Sequence, residues 1–212
     1  VGVRVVGDGH HRTRTGDWVE GALASPLGRS GGQFSQFNTP ELTKVPAFVM
    51  HRREVLTEVG GWDVDFITSQ DSDLSMRLLK AGYRLYRHPL PTVQMHKRSS
   101  LRQWWRMGHR YGFWRTKVLL KHPSRAKWQE FLPLFGLLSS VLLVAFSSPL
   151  VALPFVVYGL ALATSGALES RRQRRFSSLL GVPLCLLMLH TSFSLGLVDG
   201  LLRKGRLPKD RQ

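Results

Sequence analysis

Cysteine and acidic residues are both scarce in this sequence. Cys185 is the single cysteine, so an intramolecular disulfide and a cysteine-based zinc site are excluded. Fourteen Asp and Glu residues stand against thirty Lys and Arg residues, which gives a net charge of +16. This excess indicates an anionic partner, which is nucleic acid, a phosphorylated small molecule or an acidic lipid surface, and charge alone does not choose among them.

The beginning of the chain lacks the pattern of a signal peptide. The first twenty residues carry several charges and no apolar core. The opening run Val-Gly-Val-Arg-Val-Val is typical of an internal strand, so we expect a truncated gene, a fragment or an alternative start. A chain of 212 residues has the length of one domain, or of a smaller domain with an appended part.

Charged residues disappear from a long stretch of the carboxy-terminal half. The run from Phe131 to Leu168 contains none. At about 1.5 Å per residue, this run is long enough for two passes through a hydrocarbon core about 30 Å thick. Phe176 to Leu202 is a further candidate span, in which Asp199 is the only acid. We therefore predict two to three membrane helices over 131–202, against the alternative of a buried helical core.

Basic segments indicate how these helices are oriented. The residues before Phe131 and the connector 171–175 are both rich in arginine, so a hairpin of two spans would keep both on the cytoplasmic side. A third full span would export the basic tail, 203–212. Either the last apolar run is re-entrant or interfacial, or the positive-inside tendency is violated here.

The first part of the chain has the pattern of a water-facing α/β domain. Residues 45–50 form a short apolar run suited to a strand, and residues 52–59 suit a brief helix that ends at Gly60 and Gly61. A longer helix opens at Asp71 and Asp73 and ends at Gly82, and 83–86 alternate like a strand.

Two interpretations fit the carboxylates of Asp71 and Asp73. In one, Ser69, Asp71 and Asp73 cap the helix and complement its dipole. In the other, exposed backbone N–H groups keep Asp71 ionised, so that it accepts a proton from a substrate hydroxyl, and Asp73 orients it or the acceptor.

Residues 99–130 are predicted to form an amphipathic region at the membrane interface. Trp104 and Trp105 follow helical spacing, while Arg102, Arg106 and Arg110 recur at every fourth position. Such a helix places its rings at the apolar boundary and its guanidinium groups on lipid phosphates. An ordinary amphipathic packing helix is the alternative.

Several motifs in sequence order resemble one enzyme family. The run PAFVMHRREVLTEVGGWDVDFITSQDSDLSMRLLKAGYRLYRHP resembles the acceptor-side half of family 2 glycosyltransferases of the GT-A fold. The following KRSSLRQWWRMGHRYGFWRTKVLLKHP is similar to ExoA-type enzymes of succinoglycan biosynthesis, in which such a segment precedes membrane helices. The resemblance implies an α/β fold with a partial GT-A domain over 1–98, followed by carboxy-terminal transmembrane helices.

The same resemblance implies roles for individual residues. Asp71 aligns with the catalytic base of the family and Asp73 stands beside it, with Gln70 where the commoner motif has Glu. Gln103 to Arg106 resembles a QxxRW motif, although Met107 replaces its final tryptophan. The residues expected to bind acceptor or donor are Trp62, Asp63, Gln70, Arg98, Gln103 and Arg106.

A nucleotide-binding half with a metal-binding DxD motif usually precedes this region in the family, and we expect the sequence that begins at Val1 to lack it. The resemblance nevertheless implies a divalent cation, Mg or Mn. His96 is the candidate ligand, because a histidine after the acceptor helix binds the cation in several GT-A enzymes. A surface or hydrogen-bonding histidine is the alternative.

The function that the resemblance implies is inverting sugar transfer. The donor would be a nucleotide-diphosphate sugar and the acceptor a lipid-linked or polysaccharide saccharide, at the cytoplasmic face of the inner (plasma) membrane. Membrane lipids are expected partners and nucleic acid is not. A noncatalytic membrane-bound remnant or accessory subunit is the alternative.

Overall fold

The structure is a computed structural model that describes residues 1–7, 13–28, 37–95, 98–146, 149–204 and 206. Its α/β part contains the strands β1 (Gly2–Gly7), β2 (Glu41–Leu42) and β3 (Tyr86–Met95) and the helices α1 (Arg14–Ala24), α2 (Arg53–Glu58) and α3 (Gln70–Lys80). The helices α4 (Leu101–Lys121), α5 (Leu132–Ala145), α6 (Leu153–Gln173) and α7 (Ser178–Leu202) follow. Short 3₁₀ turns lie at Pro123–Arg125, Trp128–Phe131 and Pro149–Ala152.

The described strands form a three-stranded mixed sheet in the order β1-β3-β2. β1 pairs with β3 in parallel, and β2 pairs with β3 antiparallel. The parallel register shifts between Val3 and Arg4, whose partners are His88 and Thr92. Pro89 and Pro91 lie in the skipped segment, and proline has no N–H to donate to a ladder.

Residues 45–50 are not a strand, contrary to the expectation from their apolar run. They lie beside β1, because Val3 N–H donates to Ala47 O and Met50 N–H donates to Val1 O, each at 3.0 Å. Phe48 has a φ of 45°. A left-handed residue interrupts extended backbone, so the two hydrogen bonds do not continue into a ladder.

The helices α2 and α3 lie where the sequence predicts them, whereas α1 was not predicted. α2 and α3 pack through the buried side chains of Leu74 and Leu78. Gly60, Gly61 and Gly82, at the ends of these helices, have φ values of 78°, 67° and 88°. Glycine adopts this left-handed conformation without steric cost, which explains why both helices stop there.

Three described helical segments are long and apolar enough to cross a membrane: Trp128–Ala145, Leu150–Gln173 and Ser178–Leu202. The predicted α/β organisation followed by carboxy-terminal apolar helices is therefore confirmed. Helix α5 exposes apolar side chains on nearly all of its faces, and Ser140 is its one buried residue. Helix α7 is far more buried, since it packs against α1, α4 and α6.

Helix α4 packs along α7 at very short range. A Cβ atom added at Gly112 would lie 2.1 Å from the carbonyl oxygen of Phe193, and one added at Gly196 would lie 2.1 Å from that of His109. Small residues permit such close approach between helices. The pair is also joined by polar contacts, because the Trp104 indole N–H donates to the Cys185 carbonyl oxygen at 2.8 Å.

We expect Gly112→Ala to destabilise the protein by about 1–3 kcal/mol, because the added methyl group must push α4 away from α7. Gly136→Ala is the matched control on α5, where an added Cβ meets nothing within 4 Å. Thermal unfolding in detergent measures both. An unchanged melting temperature for Gly112→Ala would show that the helices are not in close contact.

Candidate active site

The acidic helix α3 begins immediately after a strained residue. Ser69 has a φ of 67°, which is uncommon for a residue with a side chain. Its carbonyl oxygen accepts hydrogen bonds from Ser72 N–H at 2.9 Å and from Asp73 N–H at 3.1 Å. The Ser69 side chain makes no capping hydrogen bond, so the simple capping interpretation does not hold for this residue.

Asp71 lies in the first turn of α3 and is exposed to solvent. The surrounding protein removes part of the hydration of its carboxyl group and raises the pKa of Asp71, while the electrostatic interaction with His51 opposes this shift. A carboxylate that is accessible and more basic than usual is suited to accept a proton. His51 was missed by the sequence analysis, because it lies twenty positions away without a distinguishing motif.

Asp73 has a different environment from Asp71. Its side chain is completely buried and contacts three cationic or titratable groups. Arg77 Nε donates to its Oδ2 at 2.9 Å, while Lys121 Nζ and His122 Nε2 lie 2.8 Å from its Oδ1. Burial alone would raise the pKa of Asp73, but the hydrogen bonds from Lys121, His122 and Arg77 outweigh it and lower the pKa.

Lys121 joins this buried carboxylate to the loop that precedes α3. Its ammonium group also donates to Asp63 Oδ2 at 2.7 Å. The bond from Lys121 lowers the pKa of Asp63. Lys117, one turn earlier in α4, donates to the Asp65 carbonyl oxygen at 2.5 Å. The end of α4 thus holds the loop in place, a role that no spacing in the sequence indicates.

Arg77 fixes the other side of α3. Its two terminal nitrogens donate to the carbonyl oxygens of Val59 and Gly61, each at 2.5 Å. The structure shows that it also connects α3 to the turn after α2, because its planar group reaches several acceptors at once.

The structure brings some of the predicted binding residues near Asp71 and leaves others far away. Trp62 is about half exposed (49%), and its ring lies 6.3 Å from that of His51 in an edge-on arrangement. Gln70 directly precedes Asp71 and is partly exposed. Gln103 and Arg106 are exposed on the first turns of α4, so they lie roughly 20–27 Å along the helix from Lys121.

Two further expectations concern residues before α4. Arg98 is partly exposed in the segment that leads into α4. His96, the candidate metal ligand, lies outside the described residues. Within the described ranges, no group of three or more His, Cys, Asp or Glu side chains could hold a metal ion. Asp63 and Asp73 already bind Lys121, so the described residues do not form a site for the expected divalent cation.

A second buried charge cluster lies where the chain leaves α4 for α5. Glu130 is buried between two arginines, with Arg115 Nε at 3.2 Å and Arg125 Nη1 at 3.7 Å from its carboxylate oxygens. Burial, with the nearby charge of Arg115, lowers the pKa of Arg125 to about 10. One carboxylate thus ties α4 to the beginning of the first apolar segment.

Comparison with known proteins agrees with this architecture. The model of the family "Glycosyl transferase family group 2" matches residues 16–198. The succinoglycan biosynthesis protein ExoA of Rhizobium meliloti is 29% identical over 53% of this chain and 34% of its own length. A pre-mycofactocin glycosyltransferase of Mycobacterium tuberculosis is 32% identical over 37% of this chain and 17% of its own length.

A third relative comes from Methanococcus voltae. Its name is dolichyl N-acetyl-alpha-D-glucosaminyl phosphate 3-beta-D-2,3-diacetamido-2,3-dideoxy-beta-D-glucuronosyltransferase, and it is 26% identical over 67% of this chain and 42% of its own length. The matches thus span less than half the length of these curated relatives. No solved structure matches the chain.

The α/β part carries an acidic helix, and three helical segments long and apolar enough to cross a membrane follow it. Because the family model covers most of the chain, the protein belongs to glycosyl transferase family group 2. The expected resemblance to ExoA-type glycosyltransferases is confirmed.

We expect Asp73→Asn to lower the free energy of unfolding by about 1–3 kcal/mol, because it removes the carboxylate that pairs with Arg77 and one of the two carboxylates that pair with Lys121. Asp65→Asn, on an exposed position of the loop before α3, is the control. Denaturant unfolding at pH 7 measures both. A result near zero for Asp73→Asn would contradict a stabilising role for this carboxylate.

The pH dependence gives a second measurement on the same variant. The pKa of folded Asp73 lies below its ordinary value of about 3.9. Its contribution to stability is therefore fully present above pH 3.9 and is lost as the pH falls through the folded pKa. The variant should lack this part of the acid sensitivity of the wild type.

Proposed function

We propose that this protein is a membrane-anchored inverting glycosyltransferase in which Asp71 is the general base. The observation that carries the proposal is the contrast between two carboxylates two positions apart. Asp73 is buried and bonded to Arg77, Lys121 and His122, whereas Asp71 is exposed and has a raised pKa. The first is suited to hold the helix in position, and the second to exchange a proton with a substrate.

The proposed reaction is a single displacement. The hydroxyl group of the acceptor gives its proton to Asp71 as its oxygen bonds to the anomeric carbon of the donor sugar. The bond from that carbon to the diphosphate breaks, and the nucleoside diphosphate leaves with the bonding electrons. Attack from the face opposite the leaving group inverts the configuration.

The surroundings of Asp71 support a sugar acceptor. Trp62 presents an exposed aromatic ring on the loop before α3, and Gln70 offers an amide beside the base. An aromatic face contacts the apolar side of a sugar ring, while the amide hydrogen bonds to hydroxyl groups. We assign these two residues to acceptor binding. Asp63 holds the loop through Lys121 rather than binding substrate directly.

The apolar helices and the names of two relatives support the proposed position of the acceptor. One relative is named for a dolichyl-linked sugar phosphate, and another for succinoglycan biosynthesis. A lipid-linked or polysaccharide acceptor at the bilayer surface fits both names. Arg98, Gln103 and Arg106 precede or begin α4, and we assign them to the phosphate of such an acceptor.

The charge of the protein supports the donor class and the location. A nucleotide-diphosphate sugar and anionic phospholipids both carry the charge that a net +16 attracts. The basic segments on both sides of the apolar region favour the cytoplasmic face of the plasma membrane. We therefore place the catalytic part there, with the donor taken from the cytoplasm and no role for nucleic acid.

We expect Asp71→Asn to lower sugar transfer by about 10²–10⁴-fold, because it removes the proton acceptor. Transfer from a nucleotide-diphosphate sugar is measured in membranes from cells that express the gene. Glu54→Gln, on the exposed face of α2, is the control and should retain activity. Transfer at the wild-type rate by Asp71→Asn would eliminate Asp71 as the base.

The same variant should keep its fold. The pKa of folded Asp71 is raised, so the ionised form is less favourable in the folded protein than in the unfolded chain, and stability falls as the pH rises through this range. Removing the charge therefore leaves stability at pH 7 equal or higher. The acidic limb of the activity profile should lie above the ordinary carboxyl pKa of about 4.

A further inference from the structure

Helix α7 has the length and composition of a membrane span, but its main partner is the basic helix α4. The two run in the same direction along their whole length. The Trp104 indole lies near the beginning of both helices and donates to Cys185 O at 2.8 Å. Near the other end, Thr116 Oγ1 donates to Leu197 O at 3.0 Å. The close glycine contacts lie between these two points.

The outer face of α4 is strongly basic. Arg102, Arg106 and Arg110 are exposed, and they are two positions from the residues that contact α7, which places them on the opposite side of the helix. If α7 crossed the bilayer, α4 would have to cross with it, and these arginines would enter the hydrocarbon core. Charged side chains are rarely found at that depth without a partner.

The exposed face of α7 is apolar, in contrast to the basic exposed face of α4. A single stripe of it is exposed, and no charged residue lies in this stripe. Its members are Leu180, Leu184, Leu187, Thr191, Leu195, Val198, Leu201 and Leu202. The pair α4–α7 therefore has one basic side and one apolar side along a shared axis, which is the pattern of a structure that lies in the plane of a membrane surface.

Both ends of α7 are basic as well. Arg171, Arg172 and Arg174 are exposed before it, and Arg203, Lys204 and Arg206 are exposed after it. A crossing helix would put these two groups on opposite faces of the membrane, against the positive-inside tendency. An in-plane helix leaves both groups at the level of the phosphates of one leaflet.

We propose that α7 lies along the cytoplasmic surface of the membrane together with α4, with its apolar stripe in the acyl chains of one anionic phospholipid leaflet, and does not cross the bilayer. The part of α6 that packs against α7 follows it, since Tyr158 OH lies 2.7 Å from His190 Nδ1 and Gly166 meets the Leu179 backbone. This inference rests on the membrane anchoring proposed above. It puts Arg203, Lys204 and Arg206, which follow α7, on the same side of the membrane as the catalytic part.

The test uses cysteine labelling in a Cys185→Ala background, which removes the single native thiol. Arg171→Cys and Arg206→Cys place a thiol at either end of α7, and Glu54→Cys marks the side of the catalytic part. A membrane-impermeant maleimide is applied to right-side-out and inside-out vesicles. We expect all three thiols to react at least tenfold faster in inside-out vesicles.

Reaction of Arg206→Cys from the face opposite to Arg171→Cys would overturn the inference, because α7 would then cross.

Depth is measured with a nitroxide on Leu180→Cys, Leu187→Cys and Val198→Cys in the same background. An in-plane helix gives three similar shallow depths, and a Leu187 position much deeper than the other two would also overturn the inference.

A separate measurement keeps the two proposals distinguishable. Alkaline carbonate extracts peripheral proteins from vesicles. Release of the wild-type protein by carbonate would refute the anchoring in the proposed function, and the placement of α7 with it. Retention in the membrane combined with opposite-side labelling would refute the placement alone.

Discussion

The buried carboxylate of Asp73 is the constraint on which the arrangement of the candidate site depends. Its contacts come from α3 itself, through Arg77, and from the end of α4, through Lys121 and His122. A charge inside a protein is tolerated only when counter-charges surround it. These groups must therefore come together when the chain folds, and the position of Asp71 on the exposed side of the same turn follows from that.

Helix α4 is the element that connects the chemistry to the membrane. Its last turns hold the loop before α3 through Lys117 and Lys121, and its glycines give it a close contact with α7. The buried pair of Glu130 with Arg115 then fixes the chain as it enters α5. The sheet is small by comparison, and it serves mainly to place the segments on either side of α3.

Much of this was predictable from local patterns. Helix α3 and the glycine that ends it depend on interactions between residues close in sequence. The apolar helices depend on composition, so both features were expected from the residues alone. The interpretation of α4 was less complete, because Trp104 is fully buried against α7, a partner some eighty positions away. The roles of His51, Lys121 and His122 were missed for the same reason, since long-range contacts leave no periodic signal. The assignment of Asp71 as the base stays a prediction.

Gly112, in the middle of α4, marks a point where this helix comes very close to α7. A tilt of α4 about this contact therefore displaces the far end of the helix. Lys121 lies nine residues beyond Gly112, or about 13 Å along the axis, so a tilt of about 4° around the contact moves the lysine by about 1 Å. Displacements of that size at a reacting centre change rates by about a hundredfold. The close packing of α4 on α7 is therefore also what fixes the position of Lys121 and of the loop that it holds.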